Sequence, residues 1–207
     1  MIAIIDYRMG NLRSVEKALQ VAGGRTKVTS DPKDIEKCDK VVFPGVGAFG
    51  SAMKELKKLK LVAPIREAIA EGKPFLGLCL GLQLLFTKSE EAPGVKGLCV
   101  FEGESKKFKF KSSAFKVPHM GWNNIAKNGK IKTKNPEILR GVSDGAYMYF
   151  VHSYYVRPKD KSIILTTTDY GGDFVSGVCR DNVYAFQFHP EKSQALGLKI
   201  LKNFVKL

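Results

Sequence analysis

Short apolar runs alternate with one-sided amphipathic stretches over the first 90 residues. MIAIID (1–6), TKVTS (26–30), KVVF (40–43) and PFLGL (74–78) have the length and β-branched or aromatic content of buried strands. NLRSVEKALQVAGG places its apolar residues at helical spacing, with Asn11 set as N-cap and Gly23 as a stop. AFGSAMKELKKL and LVAPIREAIAEG supply helices between the third and fourth runs. Strands separated by helices imply a mainly parallel sheet covered by helices. Beyond about residue 97 the texture changes. LCVFE, KFKF, AYMYFVHSYYV, SIILTTTD, FVSGVCR and VYAFQFH follow one another across short turns such as GG at 171–172 and DN at 181–182, which predicts a mixed or antiparallel second half. A last helix, SQALGLKILKNFVKL, starts at Ser193 and carries a one-sided apolar stripe. No linker, repeat or low-complexity tract divides the halves, so the expectation is an α/β fold in one domain, 1–207.

Composition adds limits. The 207 residues are 44% hydrophobic and 26% charged, enough for a substantial core. A formal net charge of +14 raises the question of nucleic acid or an acidic partner. The lysines are scattered, however, and their densest cluster, KKFKFK at 106–111, alternates like a strand with one solvated face. With no RNP motif, zinc-finger spacing or basic tail, a solvated surface is the better reading than a nucleic-acid module. No signal-peptide pattern and no apolar run near the roughly 20 residues that span a bilayer are present, so the expectation is a cytoplasmic chain without membrane contact. Cys38, Cys79, Cys99 and Cys179 are far apart with no CxxC pair, which suggests free thiols and neither a zinc cluster nor a disulfide framework.

One of these thiols stands in a special place. In FLGLCLGLQLLF, Cys79 falls where an apolar strand meets a helical pattern, between Gly77 and Gly81. A residue on such a turn projects at the carboxyl edge of the sheet, and small neighbours let the chain bend sharply. The pattern is a nucleophile elbow with sulfur in place of oxygen, its helix directing amides and a positive dipole end at the sulfur. A buried cysteine acting as a small hydrophobe fits the same stretch equally well. A thiol nucleophile needs a base, and the chain has three histidines, His119, His152 and His189. His189 follows the strand VYAFQF, so it projects toward the same edge, and Glu191 two residues on can hold its tautomer. His119 in VPHMGWN and His152 in FVHSYY have no comparable partner and read as structural or substrate-edge residues; no pair has metal-ligand spacing. FPGVGAFG (43–50) adds a glycine loop whose amides can face an oxyanion, although an ordinary strand-to-helix turn uses glycine in the same way.

The GxCxG elbow, the upstream glycine loop and the HPE triplet together resemble the class I (triad) glutamine amidotransferases, over nearly the whole chain. IDYRMGNLRSV, FPGVGAFG, GLCLGLQLLF, PHMGWN, YFVHSYY and FHPEKS, in that order, are similar to the branch of this family that feeds ammonia to a cyclase of histidine biosynthesis. Arg8 stands where that branch usually has glycine, and Leu82 where it usually has methionine. The resemblance implies a three-layer fold, a Cys79–His189–Glu191 triad, and an oxyanion hole from Leu80 and the Gly45, Val46, Gly47 loop. It implies glutamine contacts at Gln83, Ser153 and Tyr154, and a partner interface at Asn11, Tyr149 and Lys192. It further implies a heterodimer with a (β/α)8-barrel cyclase, and no cofactor or metal. Other readings of the elbow are a glutaminase serving another synthase, a cysteine peptidase, or a non-catalytic α/β protein that senses redox state. Release of glutamate from glutamine separates the glutaminase readings from the others.

Overall fold

The computed structural model of the chain describes residues 1–110, 113–128 and 137–207. The first half runs β1 (Ile2–Ile5), α1 (Leu12–Val21), β2 (Thr26–Thr29), α2 (Pro32–Lys37), β3 (Lys40–Phe43), α3 (Phe49–Lys58), α4 (Val62–Ala70), β4 (Phe75–Leu78) and α5 (Leu80–Leu84). The second half runs β5 (Phe86–Ser89), β6 (Phe101–Lys107), β7 (His119–Asn124), β8 (Ala126–Lys127), β9 (Tyr147–His152), β10 (Tyr154–Pro158), β11 (Ile164–Asp169), β12 (Asp173–Arg180), β13 (Val183–Phe186) and α6 (Gln194–Lys206).

The described residues form an 11-stranded sheet whose main path is β2-β1-β3-β4-β13-β12-β10-β6-β5, with β11 beside β12 and β8 beside β11. The pairs from β2 through β13 are parallel. The β13–β12, β12–β10 and β10–β6 pairs are antiparallel. The central parallel strands β1, β3 and β4 are buried on both faces, which is why their sequences read as apolar runs, whereas the edge strand β2 is half-exposed. On one face Ala3, Ile5, Val41 and Phe43 pack with Ile35, Met53, Leu56 and Ile65 from α2, α3 and α4. On the other, Ile2, Ile4, Val42 and Leu76 pack with Val15 and Leu19 of α1 and Ile200, Leu201 and Phe204 of α6. Helices, sheet and helices make the three layers the sequence led us to expect.

Several boundaries differ from the sequence expectation. α2 is additional: Asp31 caps it by accepting from the Lys33 amide at 2.9 Å, and Pro32 opens it. LCVFE and KFKF are not two strands: the single strand β6 takes only Phe101 and Glu102 of the first and Lys107 of the second, and it pairs with β10 as far as Lys107↔Tyr154. The chain leaves the sheet at Phe108, whose ring turns into a cluster with Tyr155, Phe174 and His152, at centroid distances of 4.8, 5.4 and 5.3 Å. Lys111 lies outside the described residues. AYMYFVHSYYV is two strands that part at Ser153. β9 forms a separate ribbon with β7, from His119↔His152 to Asn124↔Tyr147, while β10 joins the large sheet. Apolar alternation continues through the break, because periodicity does not record which sheet a strand joins.

Candidate active site

Cys79 takes φ +52° and ψ −105°, a conformation that L-residues rarely adopt and that the surroundings must hold in place. Its amide donates to Phe186 O of β13 at 2.7 Å, and α5 begins at the next residue. The flanking glycines are required by space. A Cβ at Gly77 would sit 3.0 Å from the Ala185 Cβ, and one at Gly81 would sit 2.0 Å from Phe43 O. The thiol donates to Val151 O at 3.8 Å and accepts from the Gln187 amide nitrogen at 3.6 Å.

Because β4 and β13 are parallel neighbours, their carboxyl ends deliver Cys79 and His189 to one edge of the sheet. His189 Nδ1 lies 2.8 Å from Glu191 Oε1, with the two side chains only 4% and 2% exposed. An ionised carboxylate only accepts, so Nδ1 carries a proton, and in the neutral ring Nε2 is left with its lone pair. Nε2 has no hydrogen-bond partner among the described residues. Burial opposes charging this ring, but an ionised Cys79 sulfur and the Glu191 carboxylate outweigh it and raise its pKa to about 10, so the ring takes a second proton, on Nε2, when the sulfur gives its own up.

The Leu80 amide, an expected oxyanion donor, is engaged: it donates to Gly45 O at 3.2 Å. The carbonyl of the glycine loop therefore takes up a donor the oxyanion would need. Gly47 takes φ +103°, a conformation that glycine adopts readily and other residues rarely do. Gly45 is glycine for a different reason, since a Cβ there would lie 2.0 Å from the buried Tyr7 hydroxyl.

A cavity of about 310 Å³ opens at the sulfur. Its wall includes Cys79, the oxyanion candidates Val46, Gly47 and Leu80, and the glutamine-contact candidates Gln83, Ser153 and Tyr154. Gln83 donates to Tyr154 O at 3.0 Å and to Gln187 Oε1 at 3.3 Å. Glu91 also faces this cavity, and one of its carboxylate oxygens accepts from the Phe49 amide at 2.7 Å. Sequence reasoning missed Glu91, because nothing in SEEAPG distinguishes it from its surface neighbour Glu90. It also missed Gln187, although an amide inside the apolar run AFQFH is a usable signal of a buried polar role.

His119 and His152 are a pair. His119 Nδ1 lies 2.9 Å from His152 Nε2, and His152 Nδ1 lies 2.8 Å from Tyr154 O. Tyr154 O can only accept, so His152 carries its proton on Nδ1, and His119 must donate from its own Nδ1. Asn123 Nδ2 closes the far end, lying 3.3 Å from His119 Nε2 and donating to Asp169 O at 2.9 Å. Both rings are therefore neutral, and burial, the main cause, pulls their pKa values down to about 4 for His119 and about 3 for His152. The sequence reading gave neither histidine a comparable partner, whereas each partners the other; His152 touches the cavity, and His119 lies behind it.

Of the interface candidates, Lys192 Nζ sits 5.8 Å from the Tyr149 ring centroid, and that ring lies 6.1 Å from Trp122. Beside them Met120, Trp122 and Tyr147 of the β7–β9 ribbon are 62%, 46% and 59% exposed. Asn11 caps α1 by accepting from the Ser14 amide at 3.4 Å, and α1 packs beside the turn that carries Lys192. Among the described residues there is no group of three or more His, Cys, Asp or Glu that could hold a metal, and no helix long and apolar enough to cross a membrane.

The family model described as glutamine amidotransferase class-I matches residues 3–207. The chain is 52% identical over 202 residues to the imidazole glycerol phosphate synthase subunit HisH of Aquifex aeolicus, covering 97% of this chain and 94% of that one. It is 50% identical over 208 residues to the HisH subunit of Syntrophotalea carbinolica, covering 99% and 98%. Among solved structures, a glutamine amidotransferase with 17% identity superimposes with TM-score 0.75 over 100% of both chains, a likeness in fold.

Proposed function

Because this chain belongs to the class-I glutamine amidotransferases, we propose that it is the glutaminase subunit of an imidazole glycerol phosphate synthase, releasing ammonia from L-glutamine for a cyclase subunit in histidine biosynthesis. The observation that carries this reading is Cys79 on a strained elbow, beside a histidine whose tautomer Glu191 sets, at the mouth of a cavity.

In this reading the Cys79 proton passes to His189 Nε2 and the sulfur attacks the side-chain amide carbon of glutamine. The carbonyl π electrons move to oxygen, giving an oxyanion that the Leu80 amide and an amide of the Gly45–Gly47 loop would hold. Collapse breaks the C–N bond, and the Nε2 proton leaves with the nitrogen as ammonia. Water then gives a proton to Nε2 and attacks the thioester. The C–S bond breaks, glutamate leaves, and the proton returns to sulfur. Glu191 orients the base throughout. Gln83 and the backbone at Ser153 and Tyr154 would hold glutamine, and Glu91 offers a carboxylate for its α-ammonium group. The chemistry needs no metal or cofactor. The whole chain, 1–207, acts as one domain, in the cytoplasm. It pairs as a heterodimer with a (β/α)8-barrel cyclase that docks around Asn11, Tyr149 and Lys192.

The test is glutamate release by the complex. Cys79→Ser should lower kcat by about a thousandfold or more, His189→Ala nearly as much, and Glu191→Gln less, because the carboxylate orients the base without taking the proton. Undiminished glutamate release by folded Cys79→Ser would overturn the assignment.

A further inference from the structure

Behind the sulfur, on β13's continuation, lies a side chain that neither the elbow nor the triad explains. Gln187 is completely buried, and its amide nitrogen donates to Cys79 Sγ at 3.6 Å. A buried amide beside a nucleophile could present either its oxygen or its nitrogen, and the two ends have opposite effects on a developing thiolate. Here the surrounding hydrogen bonds choose. Tyr154 O, a carbonyl that can only accept, takes a hydrogen bond from Gln83 at 3.0 Å, so the nitrogen of the Gln83 amide points that way. That same nitrogen approaches the Gln187 amide at 3.3 Å and must therefore meet its oxygen. The Gln187 nitrogen is left for the sulfur.

The Tyr154 carbonyl that anchors this sequence is itself held. It accepts from His152 Nδ1 at 2.8 Å, and His152 is in turn fixed by His119 at 2.9 Å. Every link thus has its donor and acceptor assigned, from Asp169 O through Asn123, His119, His152, Tyr154 O, Gln83 and Gln187 to the thiol. Neutral histidines suit this sequence, since a protonated His152 would have no acceptor role left for His119.

We propose that Gln187 is a further catalytic residue of the glutaminase reaction: its side-chain N–H, oriented by Gln83 and the Tyr154 carbonyl, holds the Cys79 sulfur and stabilises it as it gains negative charge. The proposal rests on Cys79 being the nucleophile. When the thiol has given its proton to His189, the sulfur no longer donates to Val151 O, and the Gln187 N–H is a second side-chain donor on it besides the N–H that His189 has just gained. A hydrogen bond to a charged acceptor in a water-excluded site is strong, and removing one commonly costs a factor of about 10 to 100. His152 and Gln83 act through other groups on this sulfur and are positioning residues.

Two variants test the idea in the full chain, assayed with its cyclase. Gln187→Met removes the donor with little change of volume, and Gln187→Glu keeps the shape but replaces the donor with a carboxylate. The first readout is glutamate release: Gln187→Met should lose about 10- to 100-fold in kcat with KM for glutamine nearly unchanged, and Gln187→Glu should lose more. The second is the rate at which iodoacetamide alkylates Cys79 as a function of pH, measured on the chain alone in a Cys38→Ala, Cys99→Ala, Cys179→Ala background. The other titratable groups near the sulfur, His189, Tyr7, His152 and Glu91, are the same in all forms. Loss of the donor should move the alkylation curve to higher pH for Gln187→Met, and further for Gln187→Glu. Folding is checked by thermal melting, and the isosteric Gln187→Glu serves if the methionine variant does not fold. Unchanged kcat together with an unchanged alkylation curve in a folded variant would overturn the proposal. The alkylation curve does not depend on glutamine turnover, so a chain that hydrolyses no glutamine at all would defeat the glutaminase reading and leave this readout standing.

Discussion

At the scale of single residues, the site is governed by what each imidazole can donate. His119 and His152 are held neutral by burial, with pKa values of about 4 and about 3, below the ordinary value of 6.5. The unfolded chain therefore takes up protons first as pH falls below 6.5, and stability declines from there toward pH 3. For His152 the slope approaches about 1.4 kcal/mol per pH unit. His189 moves the other way: its pKa is raised to about 10, so its contribution is full below 6.5 and is lost as pH rises toward 10. His152→Asn keeps an N–H for Tyr154 O but cannot titrate. Urea unfolding at pH 6.5 and pH 4.5 should show the wild type losing about 2 kcal/mol more than this variant across the interval. Parallel losses in both would show that His152 does not carry the acid sensitivity. Cys79, His189 and Glu191 were legible as candidates because strand-end histidine and elbow cysteine have their own local patterns. Gln187 and Glu91 were not, since their roles depend on partners as distant in the chain as Cys79 and Phe49.

At the scale of elements, the parallel half was readable because each strand is a short apolar run bounded by breakers, and each turn signal fell where a strand ends. What escaped was length and allegiance. α2 has six residues, too short for a helical period to show, yet its Asp-Pro start was a usable capping signal. Replacing that cap, Asp31→Ala, should cost about 1 kcal/mol and lower Tm by a few degrees, with glutamine turnover in the complex unchanged. A drop in turnover at a permissive temperature would mean that α2 communicates with the site. The division at Ser153 escaped for a different reason: both flanking segments are apolar on alternate positions, and only the pairing partners, β7 for one and β6 and β12 for the other, distinguish them. Arg8 is a related case. The sequence marked it as standing where glycine is usual, and the structure gives the reason, a φ of +66° supported by a 2.8 Å bond from its amide to Asp6 Oδ1.

At the scale of the whole molecule, the glycine loop and the exposed β7–β9 ribbon bear on control. Gly45 O occupies the Leu80 amide, which in the proposed mechanism would hold the oxyanion, so the isolated chain should be a poor glutaminase. A cyclase carrying its nucleotide ligand can correct this only by binding more tightly to the conformation in which an amide of the loop faces inward. Glutamate release measured for the chain alone, with cyclase, and with cyclase plus ligand should rise by two to three orders of magnitude, chiefly in kcat, the usual effect of restoring one oxyanion donor. Equal turnover in all three would remove the loop from any regulatory role.

The position of β13 has a further consequence, for how the protein is made. It lies in the middle of the sheet between β4 and β12, yet it is synthesised long after β4. While translation proceeds, β4 presents a bare edge at the place where its neighbour will insert, and Cys79 sits on its turn with neither His189 nor Gln187 beside it. An elongating chain of this topology can fold its amino-terminal strands and helices early, but its reactive centre is assembled only when the late strand enters the middle of the sheet. Birth order thus keeps the candidate nucleophile apart from its candidate base, and a translation product that stops before β13 carries Cys79 without His189, Glu191 or Gln187.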